Sequence, residues 1–214
     1  MDFADARRRM VDGQLRPNKV TAPAVLDAMR DLPRERFLPP ALRGRAYVDE
    51  DVPLPGGRAM MEPMVLARLA QLLAPRAGMR ALVVGAGTGY GAAVLARAGA
   101  EVVAVEDDEG LAAIAREALA ACLRPGAVRL QAALPTDGGG FDAALVEGEV
   151  PAVPDEVSAL LAEGGRLAVV VGEGRRNGTA VLGQRLGGAF TVTPAFDCAV
   201  AALPAFARPA RFVF

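Results

Sequence analysis

An apolar run, Ala81-Leu82-Val83-Val84, opens directly onto Gly85-Ala86-Gly87-Thr88-Gly89-Tyr90-Gly91, and a second run, Val102-Val103-Ala104-Val105, ends at Glu106, 17 residues after Gly89. Few features constrain a chain more. A strand that turns within a few residues into a helix, and is followed by a second strand, commits the chain to a parallel βαβ unit. Glycines at alternate positions let the backbone turn sharply and approach a ligand more closely than side chains would allow. A carboxylate at the end of the second strand suits the two hydroxyls of a ribose, so the unit reads as a nucleoside holder. The plainer reading is that any tight strand-to-helix connection uses glycines, that Glu106 is a polar strand end, and that Asp107 or Asp108 caps the next helix.

Tyr90 stands where a dinucleotide-binding loop would place its third glycine. That favours S-adenosylmethionine over NAD. The expected cofactor contacts are Gly85, Ala86, Gly87, Thr88, Gly89, Tyr90, Glu106 and Asp107.

Around this unit the hydrophobic period switches repeatedly between two and 3.6 residues. Residues 1–20 predict a short helix broken by Gly13 and Pro17, and 23–31 a second one with Pro23 in its first turn. The proline-rich segment from Leu32 to Gly57 cannot sustain long regular elements, and loops of this length are often lids or substrate-binding segments. The pattern then predicts helix 62–74, strand 80–84, helix 89–98, strand 101–106, helix 109–123 and a strand from Val128. Further strands follow at 141–146 and 165–171, with helix 154–161 between them, and later strands at 178–186 and 189–203. Such alternation implies an α/β fold: a doubly wound, Rossmann-like, mostly parallel sheet with helices on both faces, an N-terminal helical and irregular extension, and extra C-terminal strands. A single domain is expected over 1–214, with 1–61 as extension and substrate loop, 62–172 as cofactor-binding core and 173–214 as C-terminal strands. Ligands in such sheets sit beyond the carboxyl ends of the strands, where 85–91, Glu106, 132–138 and 147–151 would converge.

Composition narrows the chemistry. The 214 residues contain no histidine, which removes imidazole general bases, Ser-His and Cys-His nucleophiles and the commonest metal ligand. Cys122 and Cys198 have no metal-ligand spacing, and Cys122 shares a helical face with Leu111, Ala115 and Leu119, as a small core residue would. No metal site is expected. A formal net charge of −1 offers no grip on nucleic acid. With no signal-peptide pattern and no apolar run of ~18 residues, a soluble, cytoplasmic protein without membrane association is expected.

Taken in order, the motifs resemble the protein-L-isoaspartate O-methyltransferase family over nearly the whole chain. Gln14-Leu15-Arg16, Asp31-Leu32-Pro33-Arg34-Glu35-Arg36-Phe37-Leu38-Pro39, Ala46-Tyr47 and Asp51-Val52-Pro53-Leu54 are similar to its N-terminal marks. Val84 to Tyr90 with Ala92-Ala93-Val94-Leu95-Ala96 resembles its cofactor loop and helix, and Phe141-Asp142 with Gly164-Gly165-Arg166-Leu167 and Val171-Gly172 its later ones. The resemblance implies methyl transfer from S-adenosylmethionine to the free carboxylate of an isoaspartyl residue, a protein repair step that leaves S-adenosylhomocysteine. Partners would be a protein or peptide substrate, or a small-molecule acceptor. A carboxylate with a reference pKa of about 4 is already ionised, so a chain without histidine can do this by alignment and desolvation.

Two positions depart from the family pattern. Its Thr-Ile-Ser-Gln-Pro becomes Ala59-Met60-Met61-Glu62-Pro63, the expected substrate-binding segment, so the serine hydroxyl is replaced by Met61 and no catalytic residue is assigned. Glu62 would repel an incoming carboxylate by about 1 kcal/mol at 4 Å in water, and more where water is excluded. Apolar or cationic acceptors would suit this loop better; alternatively Met60 and Met61 fill a gap in the core while Glu62 complements a helix N-terminus. Its Gly-Asp-Gly, with an aspartate near adenine, becomes Ala133-Leu134-Pro135, which puts Leu134 at the cofactor with Asp137 two residues off register. Loss of that hydrogen bond weakens cofactor binding by about 0.5–1.5 kcal/mol. Alternatives are a methyltransferase with another acceptor, or a non-catalytic protein that binds the cofactor or its product.

Overall fold

The computed structural model describes residues 2–137, 139–172 and 177–206. In chain order the elements are helices α1 (Phe3–Met10) and α2 (Pro23–Asp31), a small antiparallel pair β1 (Val52–Pro53) and β2 (Ala59–Met60), α3 (Pro63–Leu72), β3 (Arg80–Val84), α4 (Tyr90–Arg97), β4 (Glu101–Val105), α5 (Glu109–Cys122), β5 (Val128–Gln131), β6 (Phe141–Val150), α6 (Asp155–Ser158), β7 (Leu161–Val171), β8 (Gly178–Leu186) and β9 (Ala189–Cys198). Strands β3 to β9 form one sheet in the order β5-β4-β3-β6-β7-β8-β9. The first four neighbouring pairs are parallel and the last two antiparallel. The chain leaves β3 toward β4 and β5, then returns on the other side of β3 as β6. That reversal is the switch point at which such sheets bind ligands.

Strand alternation divides the core. Ala81, Val83, Val102, Ala104, Ala143, Leu145, Ala168 and Val170 face a cluster shared with α2, α3, α4 and α5. The intervening Leu82, Val84, Val103, Val105, Ala144, Val146, Leu167 and Val169 face a smaller cluster with Val157 of α6 and Leu203. Both faces are therefore buried, as parallel strands require. Leu66 and Leu69 of α3 are essentially inaccessible, and each such leucine contributes roughly 1.5–3 kcal/mol by leaving water.

Most predicted elements lie within a residue or two of the observed ones, and four expectations are corrected. Gly13 does not break the first helix; Val11–Leu15 continues it as a wider π-helical turn that keeps Val11 and Leu15 buried. The helix expected at 154–161 stops at Ser158, because the carbonyl of Leu160 accepts the backbone N–H groups of Gly140 and Phe141 and Leu161 pairs with Phe141. The strand expected to end at Val146 runs to Val150 with an irregularity between Leu145 and Glu149, so 147–150 is strand and not loop. The last strand stops at Cys198, and the chain beyond it leaves the sheet edge to bridge β6. Residue 138 and residues 173–176 and 207–214, which belong to the expected 132–138 loop and C-terminal strands, lie outside the described residues.

Candidate cofactor and acceptor site

Beyond the carboxyl ends of β3 and β4 the glycine loop and Glu106 meet, as the spacing predicts. Ala86 N–H donates to the Val105 carbonyl at 2.9 Å, and Glu106 N–H to that of Gln131 at 3.0 Å, so the sheet ladder carries both segments to one edge. Gly87 N–H donates to Glu106 Oε2 at 2.6 Å. Asp108 N–H donates to Oε1 at 3.0 Å. Asp108 also caps α5 by accepting from Leu111 N–H; Asp107 points to solvent. Thr88 and Tyr90 are buried. Tyr90 turns away toward the N-terminal segment, edge-on to Phe37 at 5.3 Å and with the Arg34 guanidinium 4.7 Å from its centroid. These contacts pack the ring, and burial pushes its hydroxyl up to about 12.

The nucleoside-facing groups have partners from the chain itself. Arg58, on β2's approach, donates from Nη1 to Glu106 Oε1 at 2.9 Å and from Nη2 to the Gly85 carbonyl at 2.7 Å. Both side chains are buried, and a carboxylate removed from water needs such pairing, since an unpaired one costs several kcal/mol. A Cβ on Gly85 would lie 2.7 Å from Leu203 and 3.3 Å from Arg58. The close approach that this glycine permits is thus made by Leu203. Gly91 admits Glu147 in the same way, for a Cβ there would fall 2.2 Å from its Oε1. A nucleoside fits the loop and the acid once Arg58 yields Glu106, because the cradle, its positive-φ glycines and the strand-end carboxylate are all present.

Two segments close this edge, one inside the stretch expected as a lid or substrate loop and one, after β9, that the sequence did not point to. The turn Pro55–Gly57, pinned by Leu54 N–H to the Arg58 carbonyl at 2.8 Å, delivers Arg58. The stretch after β9 crosses β6: Glu149 N–H donates to the Ala201 carbonyl and Leu203 N–H to the Glu149 carbonyl, at 2.9 and 2.8 Å. Asp51 joins the two, accepting from Glu62 N–H at 2.8 Å and Ala201 N–H at 3.0 Å. Neither Arg58 nor Asp51 belongs to a local pattern that would have betrayed these contacts.

On the acceptor side, Met60 and Met61 are buried in the larger core cluster, which bears out their filling role. The carbonyl of Met61 accepts from Arg34 Nη2 at 2.6 Å, while Arg34 Nε holds the Ala46 carbonyl at 2.7 Å. Ala59 is half-buried. Glu62 is the N-cap residue of α3, but its side chain makes no cap bond. Burial and the nearby Asp49 and Asp51 push its carboxyl up to about 7. Glu50, Asp51, Glu62 and Glu149 line a cavity of about 470 Å³ with Val200 and Ala202. Beside it lies a small crevice lined by Arg58, Met61 and Glu147 among others. Glu147 Oε1 is out of solvent and has no hydrogen-bond partner, and burial pushes its carboxyl up to about 8. Leu134 packs against the smaller core cluster and Asp137 is exposed. Among the described residues no cluster of His, Cys, Asp and Glu could hold a metal ion.

The sheet order, the glycine loop and the strand-end acid define the Rossmann-like class that binds nucleosides at its switch point. Within that class, residues 6–201 match the family described as protein-L-isoaspartate(D-aspartate) O-methyltransferase, and the chain belongs to this family. A protein-L-isoaspartate O-methyltransferase of Methylorubrum extorquens (strain PA1) is 43% identical over 174 residues, covering 80% of this chain and 76% of the relative. One from Aeropyrum pernix is 37% identical over 177 residues, covering 79% and 68%. In three dimensions a Plasmodium falciparum chain, described as a protein-L-isoaspartate O-methyltransferase and crystallised with S-adenosyl-L-homocysteine, superposes with a TM-score of 0.77 over 92% of this chain and 97% of that one. At 20% identity that likeness bears on the fold alone.

Proposed function

We propose that this protein carries out its family's reaction, the transfer of a methyl group from S-adenosylmethionine to the free carboxylate of an isoaspartyl residue in a protein or peptide. The observation that carries the reading is the convergence of Gly85–Tyr90 with Glu106 at the ends of β3 and β4, where Gly87 N–H already orients the carboxylate. In this reading Glu106 accepts the ribose hydroxyls and the 85–91 backbone lines the cofactor. When bound, S-adenosylmethionine supplies an electrophilic methyl on a sulfonium. The remaining work suits the side chains present: Arg34 fixes the backbone of the acceptor loop through Met61 and Ala46, and the buried walls exclude water. No proton need be moved, since the acceptor is ionised near neutral pH. The residues assigned to the acceptor are Ala59, Met60, Met61 and Glu62.

The acids around that loop favour a second reading, a methyltransferase whose acceptor is a cation. Glu62 and Glu149 approach the loop and would meet a carboxylate acceptor as like charges, whereas Glu147, its carboxyl pushed up to about 8, is mostly protonated near neutral pH. Labelled methyl transfer to an isoaspartyl peptide decides between the two. Transfer to the peptide supports the family reaction; silence from a protein that binds S-adenosylhomocysteine in calorimetry supports another acceptor or a non-catalytic binder, and labelled transfer to a cationic acceptor separates those two.

A further inference from the structure

Arg58 lies between two sites. On one side its guanidinium holds Glu106 Oε1 and the Gly85 carbonyl, the groups that face a nucleoside. On the other it lines the crevice formed with Asp51, Ala59, Met61 and Glu147. The crevice adjoins the acidic cavity, with which it shares Asp51, Val200 and Ala202. Among the described residues that line either space, Arg58 is the only cation. An isoaspartyl carboxylate entering here meets acidic side chains on several sides and one cation among the lining residues, which is engaged with Glu106; Arg34 lies behind this wall, near Glu147 and Asp51, with its Nη1 buried and without a hydrogen-bond partner.

We propose that Arg58 is the residue that binds the acceptor carboxylate, held on Glu106 until the ribose of the cofactor displaces it. The proposal rests on the function proposed above. A ribose hydroxyl can replace the guanidinium at Glu106 Oε1, because it donates to the same oxygen, while the second hydroxyl reaches Oε2 beside Gly87 N–H. The freed side chain then turns toward the crevice it already borders, whose free volume of about 10 Å³ holds no more than a water, so the acceptor carboxylate reaches it from the adjoining cavity of about 470 Å³. There Glu147 Oε1, buried and without a hydrogen-bond partner, takes one edge of the planar fork while the acceptor carboxylate takes the other. Glu147 thereby becomes the support that keeps the cation in place. The consequence is an order of events: cofactor first, acceptor second, with each tightening the other's binding by the same factor. Arg58 also supplies what Met61 cannot, a donor for the substrate anion.

The test uses the full chain with Arg58→Ala and Arg58→Lys, S-adenosylhomocysteine calorimetry, and binding and methylation of an isoaspartyl peptide by the cofactor-loaded protein. Removing the competitor makes S-adenosylhomocysteine bind about tenfold more tightly to Arg58→Ala, while the peptide Kd and KM rise about 10- to 100-fold, with kcat changed less. Arg58→Lys, a point charge without the planar fork, recovers the peptide KM only in part, and millimolar guanidinium partly restores peptide binding to Arg58→Ala. Opposite changes in the two affinities cannot come from a damaged fold. Unchanged or weaker S-adenosylhomocysteine binding by Arg58→Ala, or an unchanged peptide affinity, overturns the proposal while leaving the family reaction intact. A parent protein that binds S-adenosylhomocysteine but not the peptide overturns the acceptor assignment itself, and one that binds neither overturns the cofactor reading.

Discussion

Glu62 and Glu147 are carboxylates held where their charge is costly, and pH reads that cost directly. With its carboxyl at about 7, Glu62 loses its charge as the solution is acidified from pH 8 to 6, whereas an isoaspartyl carboxylate stays ionised over that range. The peptide KM is therefore expected to fall several-fold between pH 8 and 6 in the parent and to flatten in Glu62→Gln; initial-rate measurements across that range check it. Replacing both departures, Met61→Ser with Glu62→Gln, is expected to raise methylation of the isoaspartyl peptide, and an unchanged rate would contradict this account of the loop. For Glu147 the sign concerns stability. Its folded pKa is raised from 4.5 to about 8, so the native state binds the proton more tightly and stability falls as pH rises from about 5 to 8, by on the order of 4 kcal/mol. Denaturant titrations at pH 5 and 9 are expected to show that slope, and Glu147→Gln to lose most of it. The glycines and Glu106 were legible at this scale because their spacing has one mechanical meaning. Arg58 was not: an arginine after Gly56-Gly57 reads as a solvated turn residue until the turn is placed over the strand ends.

Among elements, the hairpin of β1 and β2 and the segment following β9 act as a pair of straps joined at one carboxylate. Asp51 accepts from the backbone of both Glu62 and Ala201, so Asp51→Ala leaves two part-buried N–H groups without their partner. A loss of about 2–4 kcal/mol is expected in urea unfolding, with hydrogen exchange at Glu62 and Ala201 accelerated more than in β3 or β6. An unaltered exchange rate at Ala201 would show that the strap is held by β6 alone. Helices α2, α3 and α5 were readable from their apolar stripes, since each sends one continuous face into the core. The helix expected at 154–161 was not, because Leu160 and Leu161 suit a helix face equally well, and it is the bonds from Gly140 and Phe141 to the Leu160 carbonyl and the pairing of Leu161 with Phe141 that start β7 there instead. Gly13 failed as a breaker for a related reason: burial of Val11 and Leu15 keeps the backbone coiled through a residue that local propensity disfavours.

At the scale of the molecule, cofactor binding is expected to act as a stability term. S-adenosylhomocysteine at 100 times its Kd adds about 2.7 kcal/mol, which for a chain of this size raises the Tm by roughly 5–10 °C; NAD at the same concentration is expected to leave it unchanged in a thermal melt. No helix among the described residues is long and apolar enough to cross a membrane. The sequence by itself determined the parallel sheet, the glycine loop, the strand-end acid and the family, because each is written in residues near one another along the chain. Tertiary structure alone decided what stands beside them. Arg58 meets Glu106 across 48 residues and Asp51 meets Ala201 across 150. Contacts of that span depend on where whole elements pack, and leave no periodic or local trace in the sequence.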